Sequence, residues 1–229
     1  MLVVGDGVPD SARPAVERVV ASDPRVRFLD RAKGPEHGFR HRDEAIQEAR
    51  GDIVLYLADD DIWLPQHVEI LCEALEEADF VASLPLALTR SEVRLKVPHD
   101  LAEPHWKKRL LEGRSTINLS LAGHTRELYS RLETGWRRDD ALYAPVWRDF
   151  AIHAEQMRTI RRVTAVVLPD KKRADMSQEE RLAELAEISA LVSGPEGRLE
   201  LMERLLEHEV QRWSRATLEL ERLRAKRKS

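Results

Sequence analysis

The stretch IVLYLADDD, residues 53–61, places five apolar residues and an alanine directly before three aspartates. A continuous apolar run of this kind is typical of a strand that is covered on both faces of a sheet. In open α/β sheets, ligands bind beyond the carboxyl ends of the strands, which is where these aspartates lie. The stretch therefore predicts a core strand and, at its end, a binding site.

Short apolar runs alternate with amphipathic stretches on the N-terminal side of this strand. We predict strands over Leu2–Val4 and Val26–Leu29, and helices over Ala15–Ala21 and Arg42–Ala49. Together with the strand at 53–57, they form a β-α-β-α-β series. Such a series indicates an α/β fold, Rossmann-like, with a mostly parallel sheet and flanking helices.

The pattern continues beyond the aspartates. A helix is predicted to begin at Pro65, and a strand to run over Phe80–Leu88, where Pro85 indicates a bend or a position near an edge. Residues 98–150 are predicted to be irregular, with short helices interrupted by prolines and glycines, and Val163–Leu168 is the last predicted strand.

Two helices follow the last strand. Ser177 and Glu180 have capping-box spacing and begin the first helix, and residues 196–226 form the second. We therefore expect a domain over residues 1–175 and a C-terminal helical extension over residues 176–229.

The second helix carries an apolar seam at a and d positions of a heptad, interrupted by Glu209. Its members are Leu199, Met202, Leu206, Trp213, Ala216, Leu220 and Leu223. This spacing predicts either a coiled coil that joins two copies through 196–226 or a helix that lies across its own domain. The basic residues at 222–228 suit either weak contact with anionic lipid or a solvated terminus.

Composition excludes several classes of protein. The 229 residues carry 37 Lys and Arg against 41 Asp and Glu, a net charge of −4, which argues against a dedicated nucleic-acid binder. The single cysteine, Cys72, excludes an internal disulfide and fits a reducing compartment. Met1 is followed directly by the first strand, with no signal peptide, and no apolar run approaches the ~20 residues that cross a bilayer. We expect a cytoplasmic protein.

The three aspartates at 59–61 repel one another unless a cation compensates them. Oxygen ligands at this position suit Mg²⁺ or Mn²⁺ bridging to the phosphates of a substrate. The alternative is an acidic turn at the start of the next helix.

Asp6 follows another strand at the same sheet edge, and Arg42 lies before the core strand, where an arginine suits phosphate recognition. His37 and His41 are disfavoured as a metal pair, because they lie in a predicted loop.

Four segments together resemble family 2 glycosyltransferases of the GT-A fold. They are Leu2–Asp10, the pair Arg42-Asp43, Ala49–Leu57, and Asp59–Pro65 with its Asp-x-Asp and Trp-x-Pro elements. The resemblance covers residues 1–90 in order and spacing. His124–Leu132 with Gly135-Trp136 is similar, less specifically, to an acceptor-side segment of bacterial members.

The resemblance implies transfer of a sugar from a nucleotide-sugar donor, expected to be a UDP-sugar, to a hydroxyl of a glycan or small-molecule acceptor. Asp6 would contact the nucleobase with Arg42 close by, and Asp59 would bind the donor nucleotide. Asp59 and Asp61 would hold Mn²⁺ or Mg²⁺, although Ala58 also aligns with the first motif position. Transfer would invert the anomeric centre.

A later carboxylate would serve as the general base of the inverting reaction. Asp139 and Asp140 are the nearest candidates. Asp149 and Glu155 compete with them, or are surface charges on a helix.

The sequence departs from the family pattern in three places. Gly5 stands where many members carry an aspartate, and Asp170 follows the last strand where relatives offer a metal-binding histidine. The opening strand of the family has no counterpart. Either the start lies downstream of the true one, or Leu2–Val4 pairs directly with Ile53–Leu57, or another chain supplies the strand. We predict poor stability and weak nucleotide binding if the strand is truly absent.

Two other functions remain open. A nucleotidyltransferase has a similar sheet and acidic site, but normally a Gly-rich, Lys-containing phosphate loop, which is not visible here. A non-catalytic scaffold assembled through 196–226 is favoured by Gly5 and the absent strand.

Overall fold

The computed structural model describes residues 1–34, 37–89, 93–95, 100–114, 117–138, 140, 142–169 and 173–226. The strands are β1 (Leu2–Asp6), β2 (Arg27–Arg31), β3 (Ile53–Leu55), β4 (Ile62–Trp63), β5 (Phe80–Leu88), β6 (Val93–Leu95), β7 (Ala122–Thr125) and β8 (Met157–Val167). The helices are α1 (Arg13–Ser22), α2 (Phe39–Glu48), α3 (His67–Ala74), α4 (Pro104–Leu111), α5 (Arg126–Arg131), α6 (Tyr143–His153), α7 (Gln178–Ser193) and α8 (Pro195–Lys226), with a 3₁₀ turn at Leu119–Leu121.

The predicted α/β class is confirmed, but the sheet is mixed instead of mostly parallel. In the described part of the chain, only the pairs β1–β2 and β5–β8 are parallel, whereas β3–β7, β5–β7, β5–β6 and β4–β8 are antiparallel. The main cause is β7, which lies between β3 and β5 and runs opposite to both.

The strands form two separate sheets. In the described residues β1 pairs with β2 alone, and β3 lies at one end of the six-stranded sheet with β7 as its partner. Of the three alternatives for the missing strand, the direct pairing of Leu2–Val4 with Ile53–Leu57 does not occur in the described residues, because the ladder of β3 joins Ile53–Leu55 to β7. Helix α2 connects the two sheets, since it contacts β1 and also buries Phe39 and Ile46 in the main core.

The predicted core strand over 53–57 is wrong: in the described residues β3 is a half-buried strand at the end of the six-stranded sheet, and it is shorter than the apolar run. Regular pairing ends at Leu55, and the exposed side chain of Leu57 has already left the sheet. Helix α3 begins at His67, two residues after Pro65. Pro85 pairs with Ala165 of β8, and on its other side it falls between the described ladders of β7 and β6. Of the two alternatives, a bend or a position near an edge, the register shift between Leu84 and Pro85 agrees with the bend.

The main core is aromatic and lies between the sheet and helices α2, α4, α5 and α6. Its largest fully buried side chains are those of Trp136, Trp147, Tyr129, Phe39, Phe80 and Phe150. The rings of Trp136 meet those of Phe39 and Trp147 edge to face, a geometry that aromatic quadrupoles favour.

A chain of hydrogen bonds crosses this core at Tyr56. The indole of Trp136 donates to the Tyr56 hydroxyl (2.9 Å), and the hydroxyl lies 2.5 Å from Nε2 of His124. Nδ1 of His124 lies 2.9 Å from the carbonyl oxygen of Thr125, which fixes the ring as a neutral Nδ1–H tautomer that accepts from Tyr56. Burial lowers the pKa of His124 to about 4 and raises that of Tyr56.

A second polar cluster lies under β4. Nδ1 of His67 is 2.8 Å from the hydroxyl of Thr164, which is 2.5 Å from the hydroxyl of Ser83, and the ring of Trp63 stacks on His67. Burial lowers the pKa of His67 to about 4, so this ring is also neutral.

The two C-terminal helices pack on the far half of the sheet. The predicted capping box at Ser177 and Glu180 is present and begins α7. Leu201 and Leu205 of α8 enter a cluster with Val192 and with Leu86 of β5. None of the described helices is long and apolar enough to span a membrane.

The Tyr56 hydroxyl provides a test of the core. Tyr56→Phe leaves the Trp136 indole and the His124 ring without their buried partner, and we expect a loss of about 1–3 kcal/mol in the free energy of unfolding for each unsatisfied group. Urea unfolding measures it, with Tyr143→Phe at the half-buried margin of the same cluster as the matched control. Equal stabilities of the two variants would contradict the network.

The two buried histidines predict a pH dependence of stability. Their pKa lies near 4 in the folded chain and near 6.5 when unfolded. As pH falls from 6.5 to 4, the unfolded chain binds protons that the folded chain does not. We therefore expect each ring to reduce stability by about 1.4 kcal/mol per pH unit in this window and to have no such effect above it. NMR titration of the ring protons checks this, and a ring that titrates near 6.5 would refute it.

Candidate functional site

The acidic loop, residues 58–61, follows β3, and its backbone donates one hydrogen bond to the turn before β7 and one within the loop. The amide of Ala58 donates to the hydroxyl of Ser120 (3.0 Å), and the amide of Asp61 to the carbonyl oxygen of Ala58 (3.3 Å). Ser120 belongs to the 3₁₀ turn that leads into β7. The loop is therefore positioned by a segment 60 residues further along the chain.

The carboxylate of Asp61 turns inward. The Ser120 hydroxyl donates to its Oδ2 (2.6 Å), and the amide of Leu168, just after β8, donates to its Oδ1 (3.2 Å). Burial raises the pKa of Asp61 above its ordinary value, and these two hydrogen bonds, together with one from the Asn118 side chain, reduce the size of this rise. Asp61 thus joins the ends of β3 and β8.

Asp60 points to a buried arginine. Its Oδ2 lies 3.4 Å from Nη1 of Arg173, whose side chain is almost completely buried. Nε of Arg173 lies 2.9 Å from Oε2 of Glu184 in α7. One guanidinium thus bridges the acidic loop and the C-terminal helices, and its charge offsets part of the repulsion within the triplet.

Asp59 is the exposed member of the triplet. The three adjacent carboxylates therefore have three environments: solvent for Asp59, an arginine for Asp60, and hydrogen-bond donors of the sheet for Asp61. Among the described residues, no three His, Cys, Asp or Glu side chains lie close enough together to hold a metal ion.

Asp6 ends β1 and has its own set of partners. Its carboxylate accepts from Nζ of Lys33 and from the amide of Gly34, both at 2.6 Å, and lies 3.5 Å from Nε2 of His41. Burial raises the pKa of Asp6, but the Gly34 and Lys33 hydrogen bonds outweigh it and leave the pKa below its usual value. Gly38, at φ +71°, approaches Asp6 closely enough that a Cβ there would lie 3.5 Å away.

Arg42 lies one residue beyond His41 in α2 and packs on the aromatic core. Its guanidinium carbon is 5.2 Å from the ring centre of Trp136 and 5.4 Å from that of Phe39, within cation–π range. Nη1 donates to the carbonyl oxygen of His37 (3.0 Å). Asp6 and Arg42 are thus linked through the start of α2. The expected shared sheet edge of Asp6 and the aspartates at 59–61 is wrong, because in the described residues β1 belongs to the two-stranded sheet and β3 to the six-stranded one.

Packing explains the glycine at position 5. A Cβ there would lie 2.8 Å from the ring of Phe28 and 2.8 Å from Cγ2 of Val8. An aspartate at this position therefore requires a different packing of β2 against β1.

The carboxylates considered as the base differ in their surroundings. Asp139 and the possible metal ligand Asp170 lie outside the described residues. Asp140 is exposed and accepts from the Leu142 amide at the start of α6, and its ion pair with Arg138 lowers its pKa. A lowered pKa makes Asp140 a weaker base.

The two competing carboxylates have structural partners. Asp149 is buried instead of being a surface charge, because its oxygens accept from the amides of residues 133–135 and hold the turn before Trp136. Glu155 is exposed and pairs with Arg131.

The segment that resembles an acceptor site lies partly inside the molecule. Both His124 and Trp136 are completely buried in the core, where they bind Tyr56. They position the sheet and do not face a cleft.

Sequence reasoning did not find the groups that hold the triplet. Asn118 and Ser120 form a side-chain cap at the 3₁₀ turn, a local signal for a turn but not for contact with Asp61. Arg173 follows two lysines, and in the sequence these three residues look like an exposed charged stretch. The fold instead buries the Arg173 side chain.

The comparisons with known proteins agree with this architecture. The family model described as "Glycosyl transferase family 2" matches residues 1–148. No curated protein matches the chain significantly.

Solved structures of TarS from S. aureus have a similar fold. The fragment 1–349 in complex with UDP superimposes with a TM-score of 0.58 and 13% identity, over 83% of this chain and 55% of that one. The same fragment with UDP-GlcNAc gives 0.57 and 12%, over 83% and 55%. A longer TarS chain gives 0.56 and 12%, over 81% of this chain and 37% of that one. The chain thus spans at most about half the length of these TarS chains, and at this identity the likeness shows the fold alone.

The family model covers well over half of the 229 residues, and this is the family whose GT-A fold was predicted from the sequence. The chain belongs to glycosyl transferase family 2.

Proposed function

We propose that the chain transfers a sugar from a nucleotide-sugar donor to the hydroxyl of a glycan or small-molecule acceptor, with inversion and with help from a divalent cation. The observation that carries the proposal is the acidic loop at the end of β3, where Asp61 is fixed by Ser120 and Leu168 while Asp59 is exposed. TarS, solved with UDP and UDP-GlcNAc, supports a UDP-sugar as the donor.

The carboxylates fit Mn²⁺ or Mg²⁺ that arrives with the donor. The Asp61 carboxylate accepts from Ser120, Leu168 and Asn118, which leaves one of its four lone-pair sites for a cation, and the Asp59 carboxylate faces solvent. Mg²⁺ usually binds one or two carboxylates together with phosphates and waters, so a cage of three protein ligands is not required. When bound, the cation supplies positive charge that stabilises the departing diphosphate.

The remaining roles belong to side chains of the chain itself. Asp6 orients the nucleobase through oxygens that Lys33 and Gly34 already hold in place, and Arg42 lies beside it. Asp59 binds the donor together with the cation. Asp139 or Asp140 takes the proton of the acceptor hydroxyl as its oxygen bonds to the anomeric carbon and the bond to the diphosphate breaks.

Calorimetric titration with UDP, with Mn²⁺ and with EDTA, tests the proposal. We expect Mn²⁺-dependent binding that Asp59→Asn weakens about tenfold or more, since the variant keeps the shape of the side chain but loses its charge. Asp52→Asn, the same change at an exposed position before β3, is the control and retains binding. Absence of UDP binding under both conditions, or equal binding in the two variants, would contradict the proposal.

Ser120→Ala tests whether the Ser120 hydroxyl keeps Asp61 ionised. Without the hydroxyl, the pKa of Asp61 rises further, because burial already raises it and one stabilising bond is lost. We expect weaker Mn²⁺-dependent UDP binding at pH 6 and a smaller loss at pH 8, where the carboxylate is ionised. Ser130→Ala, on the exposed side of α5, is the control. A loss that does not depend on pH would refute this role of Ser120.

A further inference from the structure

Helix α8 has one face packed on its own domain. Leu201 and Leu205 are almost completely buried beside Val192 of α7. They are four residues apart, so they lie on one side of the helix. This face accounts for only the first part of α8.

A second apolar face of the same helix is exposed. It consists of the seam Leu199, Met202, Leu206, Trp213, Ala216, Leu220 and Leu223, whose large members expose 49–67% of their surface. An α-helix turns by about 100° per residue, so Leu206 of the seam lies on a different side from its buried neighbour Leu205. The contact with the domain therefore leaves the seam uncovered.

The distal part of α8 has no buried side chain. All residues from Val210 to Arg224 are exposed, a stretch of about 22 Å of helix. Isolated helices of this length are marginal in water, and most helices are stabilised by packing of an apolar face. A partner is needed along the seam.

We propose that the partner is a second copy of the chain, and that the two seams form a parallel two-stranded coiled coil. The members are spaced by alternating steps of three and four residues from Leu199 to Leu223, with Glu209 at one d position. This is the 3.5-residue repeat that keeps a seam facing an identical helix.

The charges beside the seam favour the parallel orientation. In a parallel pair, each g residue faces the e residue five positions later on the other helix. Arg198 then faces Glu203, and Glu219 faces Arg224, while Leu205, also a g residue, stays packed on its own domain. No like charges meet at these positions.

The antiparallel orientation brings like charges together. Its register of greatest overlap places Leu199 opposite Leu223, and Arg212 then faces Arg212 of the second copy. In the parallel orientation Arg212 faces Thr217 and stays with Glu209 on its own helix, where Nε lies 2.9 Å from Oε2. In the parallel orientation Glu209 faces Glu209 of the second copy inside the seam, and Arg212 of each helix offsets this repulsion.

Trp213 fits the same arrangement. Its large indole at an a position is followed by the small Ala216 at the next d position, which leaves room between the two helices. Residues 212–226 carry five basic side chains against the acidic Glu219 and Glu221, so an anionic bilayer is the competing occupant, which sedimentation with anionic vesicles distinguishes from a second copy.

Light scattering of the full chain during gel filtration tests the proposal. We expect a mass twice the 26.3 kDa of one chain, and loss of the dimer in Leu220→Glu. Leu218→Glu is the matched control, because Leu218 is equally exposed but lies outside the seam, and it retains the dimer. Helix content by circular dichroism shows that both variants fold.

A charge exchange tests the flanking pairs. Glu219→Arg places like charges opposite one another in the parallel dimer and weakens it, and the double variant Glu219→Arg/Arg224→Glu restores it. Failure of the second change to restore the dimer would refute the pairing.

An engineered disulfide tests the orientation. In a Cys72→Ser background, Leu223→Cys brings the two thiols together in a parallel dimer, and oxidation yields a covalent dimer. In the antiparallel register position 223 faces position 199, about 36 Å along the helix, and no disulfide forms. A monomer at 100 µM, a trimer or tetramer, a dimer that resists Leu220→Glu, or sedimentation of a monomer with anionic vesicles would each overturn the proposal.

Discussion

The hydrogen bonds that hold the carboxylate of Asp61 fix the geometry of the candidate site. A partly buried carboxylate is costly unless donors compensate its lost hydration, and here the donors are the Ser120 hydroxyl and the Leu168 amide. These groups come from the turn before β7 and the end of β8. The bonds therefore form only when the antiparallel part of the sheet is assembled around β3.

The three adjacent aspartates therefore differ in their partners and in their exposure to solvent. Asp61 is anchored to the sheet, Asp60 is paired with Arg173, and Asp59 is exposed. The repulsion of the triplet is thus reduced by the fold itself, and a cation has only the remaining charge to neutralise. Because Arg173 also contacts Glu184, the same contacts link the acidic loop to α7 and through it to α8.

Local sequence patterns predicted the elements well. The strand over Phe80–Leu88 and the capping box of α7 are present as expected, because apolar runs and caps act within a few residues. The sheet order was not predictable in this way. The β7 segment AGHT contains neither a branched apolar run nor a clear alternation, so its position between β3 and β5 depends on tertiary packing.

The sequence predicted where the acidic loop lies in the chain but not which side chains contact it. The position of the triplet after a strand follows from the apolar run at 53–57, but the buried Arg173 and the inward Asp61 depend on contacts between segments about 60 to 110 residues apart. The role of His124 also could not be predicted from the local sequence. Its motif indicates an acceptor site, whereas the fold places it in the core as a hydrogen-bond acceptor for Tyr56.

The most direct test of the central claim is a crystal structure of the chain with UDP and Mn²⁺, with anomalous data collected at the manganese edge. The account predicts an anomalous peak within coordination distance of Asp59 or Asp61 and of the diphosphate oxygens, with the base of UDP towards Asp6. A bound UDP whose diphosphate lies away from the acidic loop, with no manganese beside it, would contradict the account.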